Sequence, residues 1–300
     1  IRRPPRSTQG VSSAASDVYK RQIMKTFHEA PNSCFERVQQ ITDGDYCLVH
    51  LYDENEQYKE HFDNAVRKGR EVILDNSIFE LGTAFDSQDY LQKIKELNPT
   101  WYIIPDALED CDQTLQNFWS WQEAEGLELD RTYTGGFVKP KSIGVVQGKT
   151  WDEMVQCYNE MVHEADMVAF SFDLSHYEEM ANEEAEDTHH EFKKEYLWMI
   201  GRQLFIKRMI DEKIMNPDMQ HHLLGCGLPQ EYQAYKNNKM IYSVDTSNPV
   251  IFGLNKIKYN NIGMNHKIST KLFTLINSEV NDEQWECIEY NIKKFKEWTG

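Results

Sequence analysis

Two aspartates in this 300-residue chain stand where a carboxylate can be sheltered and still be reached. Asp75 ends the apolar run Val72-Ile73-Leu74, and Asp245 ends Ile241-Tyr242-Ser243-Val244. A short apolar run reads as a strand buried on both faces, as in a parallel sheet. The C-terminal ends of such strands are where α/β barrels and open α/β sheets do their chemistry. Each aspartate would be partly desolvated there and able to hold a tuned pKa. Two carboxylates on one rim suit displacement at a sugar anomeric carbon, one attacking and the other moving protons. An aspartate in this position also commonly caps the next helix, so neither is decisive alone.

Two further strand ends carry polar groups. Asp106 follows Ile103-Ile104-Pro105, and Gln147 follows Gly144-Val145-Val146. A carboxylate accepts from two N–H donors and a carboxamide both donates and accepts, so the pair could read the edge of a purine-like base. Phe79, four residues after Asp75, is placed to stack on such a base, although core packing explains a lone phenylalanine as well. Gly148 would let backbone N–H groups approach a ligand closely. The segment 236–271 holds Lys236, Lys239, Lys256, Lys258, Lys267 and Lys271 against one acid, Asp245, a local charge of +5 with Tyr242, Phe252 and Tyr259 interleaved. A basic stripe beside a candidate nucleophile is where a phosphate backbone should lie, unless it is a solvated loop. Lys236, Lys239, Lys256 and Lys258 are the candidates for nucleic-acid contact. The pairs His189-His190 and His221-His222 invite a metal reading, but neighbours on a strand or helix point apart, so no metal site is expected.

The elements that must position these groups alternate. Strands are expected at 47–51, 72–75, 101–105, 142–146, 167–172, 222–225 and 241–245, with a weak eighth at 261–264. Helices are expected at 54–68 (ending at Gly69), 87–97 (capped by Ser87), 112–125 (ending at Gly126), 150–162 (capped by Thr150, with Glu153 three residues on), 190–214, 229–235 and 282–298. The acidic stretch 178–187 reads as a loop. Alternation of strand and helix without hairpins favours a parallel sheet, and seven or eight strands favour a (β/α)8 TIM-type barrel with a C-terminal helix over a doubly wound sheet.

Composition bounds the rest. Hydrophobic residues make up 40% of the chain, enough for one large domain, and no run of eighteen apolar residues predicts a membrane span. Six scattered cysteines suggest reduced thiols in a cytoplasmic protein. The net charge of −17 argues against broad non-specific nucleic-acid binding. Residues 1–22 are rich in Arg, Pro and Ser, without apolar period. One set of codons for Asp17-Val18-Tyr19-Lys20-Arg21-Gln22 spells GATGTGTATAAGAGACAG, which looks like a transposon end used in sequencing-library preparation. The segment is therefore expected to be translated adaptor and disordered, with the natural start near Met24, a single barrel domain over 24–300 and an assembled environmental origin. It carries four Arg and one Lys against one Asp, so its removal moves the formal charge from −17 to −21.

Taken in order, LDNSIFELG (74–82), PDALEDCD (105–112), VVQGKT (145–150), HLLGCGLPQEY (222–232) and SVDTSNP (243–249) resemble the tRNA-guanine transglycosylase superfamily, including its phage-type DNA 7-deazaguanine branch. The motifs span about 175 residues, each weak singly and moderately specific together. The resemblance implies an α/β barrel that exchanges guanine in a nucleic acid for a 7-deazaguanine base. It implies that Asp245 is the nucleophile on ribose C1′, Asp75 the second catalytic aspartate, Phe79 the stacking aromatic, and Asp106, Gln147 and Gly148 the base-binding residues.

Three departures matter. The family's glycine pair after the first aspartate reads Ser77-Ile78, and its glycine-rich base-contacting segment reads Ala169-Phe170-Ser171-Phe172-Asp173. The family's zinc motif is absent, which is more like the phage branch than a cellular tRNA enzyme. The expectation is a base-exchange glycosyltransferase acting on nucleic acid, DNA favoured, with a 7-deazaguanine base as partner and no cofactor, in the host cytoplasm if phage-encoded. Exchange in tRNA and an inactive barrel that binds nucleic acid or another partner are the alternatives.

Overall fold

The computed structural model describes residues 24–83, 85–184 and 193–300. Eight parallel strands close into a barrel in chain order. They are β1 Lys25–Phe27, β2 Gly44–Leu48, β3 Glu71–Asp75, β4 Trp101–Ile103, β5 Lys141–Val146, β6 Met167–Phe170, β7 His221–Leu223 and β8 Ile241–Asp245. β1 pairs with both β2 and β8, which sets Phe27 opposite Asp245. Helices fill the connections, so the fold is the expected (β/α)8 barrel, and helix Asp282–Thr299 ends the chain. The described residues contain no helix long and apolar enough to cross a membrane. All six cysteines are buried and free.

The strand absent from the sequence reading is the first, not the last. Residues 261–264 form no strand, and Lys25-Thr26-Phe27 complete the barrel instead. Three residues led by a lysine carry no readable period, and pairing on both sides is what makes them a strand. The strand expected at 47–51 starts earlier, at Gly44, and yields to helix Val49–Glu54. Gly126 does not stop its helix. Its φ of −61° is right-handed, and helix Cys111–Ser120 runs through a wider π turn, Trp121–Gly126, into helix Leu127–Thr132. Trp121 packs there against the rings of Tyr90 and Tyr102.

The acidic stretch expected as a loop is helical as far as Glu184, within helix Ser175–Glu184. Residues 185–192, with His189-His190 and the start of the helix expected from 190, lie outside the described residues. So does the 1–22 segment. The following helix is described as Lys194–Asp211.

Caps follow elementary chemistry. Thr150 accepts the Glu153 N–H as expected, whereas Asp86, not Ser87, caps its helix by accepting from the Gln88 and Asp89 N–H groups. The N-terminal mouth of the barrel is closed by polar groups. Lys25 donates to Glu71 and to Tyr242, and Trp101 and Tyr242 both donate to Glu71. The C-terminal mouth is left to hold a cavity.

Helices Ser175–Glu184 and Lys194–Asp211 meet at Gly201, where a Cβ would stand 2.0 Å from the Tyr177 carbonyl oxygen. Backbone cannot swing aside like a side-chain tip. Gly201→Ala should therefore force the helices apart and cost on the order of 1–3 kcal/mol, read as a lower urea midpoint at unchanged m-value. An unchanged midpoint would mean that this contact is not close-packed.

Candidate active site

A cavity of about 280 Å³ opens at the C-terminal ends of the strands. Tyr46, Ile103 and Val145 reach it from the barrel interior, and the loops after β1, β3, β4, β6, β7 and β8 supply its walls, together with the strap from Lys267 to Leu272. Asp75, Phe79, Asp106 and Asp245 all line it. Four of the six residues expected at the reaction centre are thus brought together on one rim.

Asp245 is the last residue of β8 and is buried. Its Oδ1 accepts the Gly225 N–H at 3.1 Å and is 3.0 Å from His222 Nε2. A carboxylate only accepts, so Nε2 is the donor, and Nδ1 lies 2.7 Å from the Ser243 hydroxyl. Both contacts fall on Oδ1. Oδ2 receives no hydrogen bond from the described residues. His222 and Ser243 face each other because β7 and β8 pair in that register. His222, which the sequence offers as no metal ligand, orients Asp245. Among the described residues no cluster of three or more His, Cys, Asp or Glu could hold a metal ion.

Asp75 ends β3 and is equally sheltered. Burial, then the negative charges of Glu80, Asp245 and Asp106, push its pKa well above the usual carboxylate range, against the opposing pull of the Ser77 N–H. Ser77 holds a left-handed φ of 61°, a conformation glycine adopts without cost and serine does not. The position where the resemblance expects a glycine therefore keeps a glycine-like backbone.

Asp106 is pinned by two amides. Asn76 Nδ2 donates to Oδ1 at 2.8 Å, and Gln147 Nε2 donates to Oδ2 at 2.7 Å. The reading of Gln147 as a base contact is corrected by this geometry. Gln147 is fully buried, does not line the cavity, and spends its carbonyl on the Glu109 N–H at 2.9 Å. It positions Asp106 and leaves Asp106 to meet a ligand. Gly148 is likewise no part of the cavity wall. A Cβ there would meet Glu153 and Met154 at about 3 Å, so the glycine serves the packing of helix Trp151–Met161 against the β5 end.

Phe79 is 41% exposed and leans on Phe172, with ring centroids 5.9 Å apart. The two rings form an apolar lip on the cavity, and each carries an ammonium group. Lys271 lies 4.7 Å from the Phe79 ring and donates to the Phe79 carbonyl at 2.9 Å, while Lys267 lies 3.5 Å from the Phe172 ring. Burial lowers the Lys267 pKa to about 8.

The four lysines expected to hold nucleic acid are elsewhere. Lys236 donates to the Glu297 carbonyl, Lys256 pairs with Glu283, and Lys258 sits over Tyr290, all on helix Asp282–Thr299. Lys236 and Lys239 precede β8, at the end of the barrel opposite the cavity. None of the four lines the cavity. Of the basic segment, only Lys267 and Lys271 reach it, because the chain returns to the rim after helix Asn248–Leu254.

Three carboxyl groups on the cavity wall were not expected there: Glu29, Glu80 and Asp173. Glu29 follows the unrecognised β1, so nothing in the sequence placed it on the rim. Glu80 lies within the quoted LDNSIFELG stretch, one residue past Phe79, where the helical turn Ile78–Leu81 swings it inward. Burial, then the charges of Glu80, Asp245 and Asp75, raise the Glu29 pKa well above the ordinary range.

Fold and site define a (β/α)8 barrel with a carboxylate-lined pocket at its C-terminal face. No family model matches the chain, and no curated protein matches it.

Proposed function

We propose that the protein is a base-exchange glycosyltransferase that replaces guanine in nucleic acid, DNA favoured, with a 7-deazaguanine derivative through a covalent glycosyl-aspartate. The observation that carries this reading is Asp245: a buried carboxylate with one oxygen anchored by His222 and the Gly225 N–H and the other without a donor among the described residues, on the wall of a cavity shared with Asp75. That is the arrangement a carboxylate nucleophile attacking carbon needs, oriented yet uncommitted. Asp245 Oδ2 attacks C1′ and guanine departs. The incoming base then displaces the aspartate, with overall retention. Asp75 is the second carboxyl group beside the reacting centre, and the displacement also needs a group there to carry the proton.

The base side is supported by Asp106, whose carboxylate is fixed by two amides and lines the cavity, and by the Phe79–Phe172 lip, which offers apolar surface to an extruded base. A cavity of about 280 Å³ suits one nucleotide rather than a longer stretch of polymer. The motif order and the left-handed backbone at Ser77 add to the reading. An inactive barrel would be favoured by Asp75 and Asp245 at opposite ends, and they share one rim. DNA is preferred to tRNA because the chain lacks the zinc motif that the resemblance associates with the tRNA enzymes.

The test is incubation with radiolabelled guanine or 7-deazaguanine bases and either duplex DNA or tRNA. Incorporation into DNA is the expected result. Label in tRNA alone would move the substrate, and label in neither would end the proposal.

A further inference from the structure

Base exchange passes a proton around. Guanine gains one as its bond to C1′ breaks, and the incoming base loses one as the new bond forms. Six carboxyl groups line the cavity: Glu29, Asp75, Glu80, Asp106, Asp173 and Asp245. Two have both a fixed orientation and donors to hold it. Asp245 accepts from His222 and Gly225, and Asp106 accepts from Asn76 and Gln147. Glu80 is left with one oxygen unpaired. Its Oε2 is buried and has no hydrogen-bond partner among the described residues. A buried carboxylate oxygen without a donor is costly. Protonation removes that charge, and the carboxyl group borders the cavity.

We propose that Glu80 is a further catalytic residue of the exchange, its carboxyl group holding the proton that the leaving guanine takes and that the incoming base returns. The inference rests on the base-exchange reading. In the first step the C1′–N bond breaks and its electron pair leaves with guanine, which takes the proton from Glu80, while Asp245 Oδ2 bonds to C1′. In the second step the incoming base gives its ring N–H proton to the Glu80 carboxylate and its nitrogen bonds to C1′, while the C1′–O bond breaks and that pair returns to Asp245. Atoms, protons and charge balance over the cycle.

The groups around Glu80 support the assignment. Glu29 after β1, Tyr46 on β2, Asp75 at the end of β3 and Asp245 at the end of β8 line the same cavity, and Lys271 reaches it from the strap. Burial first, and the charge of Asp245, push the Glu80 carboxyl up to about 7, against the pull of its own backbone N–H and of Lys271. A group poised there gives up and recovers a proton near neutral pH.

The experiment follows single-turnover release of labelled guanine from DNA against pH for wild type, Glu80→Gln and Glu80→Asp, with carbon-13 NMR of carboxyl-labelled glutamate beside it. Wild-type release should fall as pH rises above about 7. Glu80→Gln should be slower by about 10²-fold or more and should lose that limb, while Glu80→Asp keeps it. The Glu80 resonance, assigned by its absence from Glu80→Gln, should titrate near 7. A Glu80→Gln enzyme with the wild-type rate and limb, or a Glu80 resonance that titrates in the ordinary carboxylate range, overturns the role. Intact titration in a wild type that never releases guanine would sink the base-exchange reading, and this role with it.

Discussion

Asp245→Asn should abolish base exchange, lowering it by on the order of 10⁴- to 10⁶-fold, the range in which loss of a covalent nucleophile falls. The denaturant-stable complex with nucleic acid expected of a glycosyl-enzyme should vanish as well. The substitution isolates chemistry from structure. Asparagine keeps a carbonyl oxygen able to accept from His222 Nε2 and from the Gly225 N–H, which now lie 3.0 and 3.1 Å from Oδ1. Its amide nitrogen cannot form the bond to C1′ that Oδ2 forms. Nucleic-acid binding should therefore stay within a few-fold of wild type, and the thermal midpoint should hold. Near-normal exchange by Asp245→Asn would mean that the covalent mechanism is wrong.

Arg202→Met should destabilise the fold by about 3–5 kcal/mol, measured by urea denaturation. Arg202 and Glu231 are both fully buried, with Nε to Oε1 at 2.7 Å and Nη2 to Oε2 at 3.0 Å. The guanidinium also donates to the carbonyls of Phe170, Leu224 and Gly225. It thereby ties the end of β6 to the loop after β7 and to the short helix Pro229–Tyr235. Methionine fills much of the space but leaves Glu231 charged and without its partner, the costly half of a broken buried pair.

The double variant Arg202→Met/Glu231→Leu should recover most of the loss, since burying neither charge is often neutral. A single-variant cost under about 1 kcal/mol would show the pair to be solvated. The site should feel the change too. Gly225 gives its carbonyl to Arg202 and its N–H to Asp245, so releasing one end loosens the other.

Much of this arrangement is legible in the amino-acid order because it depends on neighbours in the chain. A strand buried on both faces must be apolar throughout, so Val72-Ile73-Leu74 and the run before Asp245 announce themselves, and a carboxylate that ends such a run must stand at the strand's C-terminal edge. Asp75, Asp106 and Asp245 were found on that ground, and Phe79 by its distance from Asp75. The helix N-cap at Thr150 is local in the same sense.

Tertiary structure decided whatever depends on who sits opposite. Lys25-Thr26-Phe27 is a strand because β2 and β8 pair with it, and Glu29 reaches the site only through that closure. Gln147 looked like a ligand contact until Asp106 and the Glu109 N–H used both ends of its carboxamide. His222 orients Asp245 because the β7–β8 register places it beside Ser243. The basic segment was visible as charge, but charge has no direction along a chain. Only the return of the strap to the rim selects Lys267 and Lys271 and turns Lys256 and Lys258 toward the C-terminal helix, because a side chain's partners are set by the packing of distant elements and not by its neighbours in sequence.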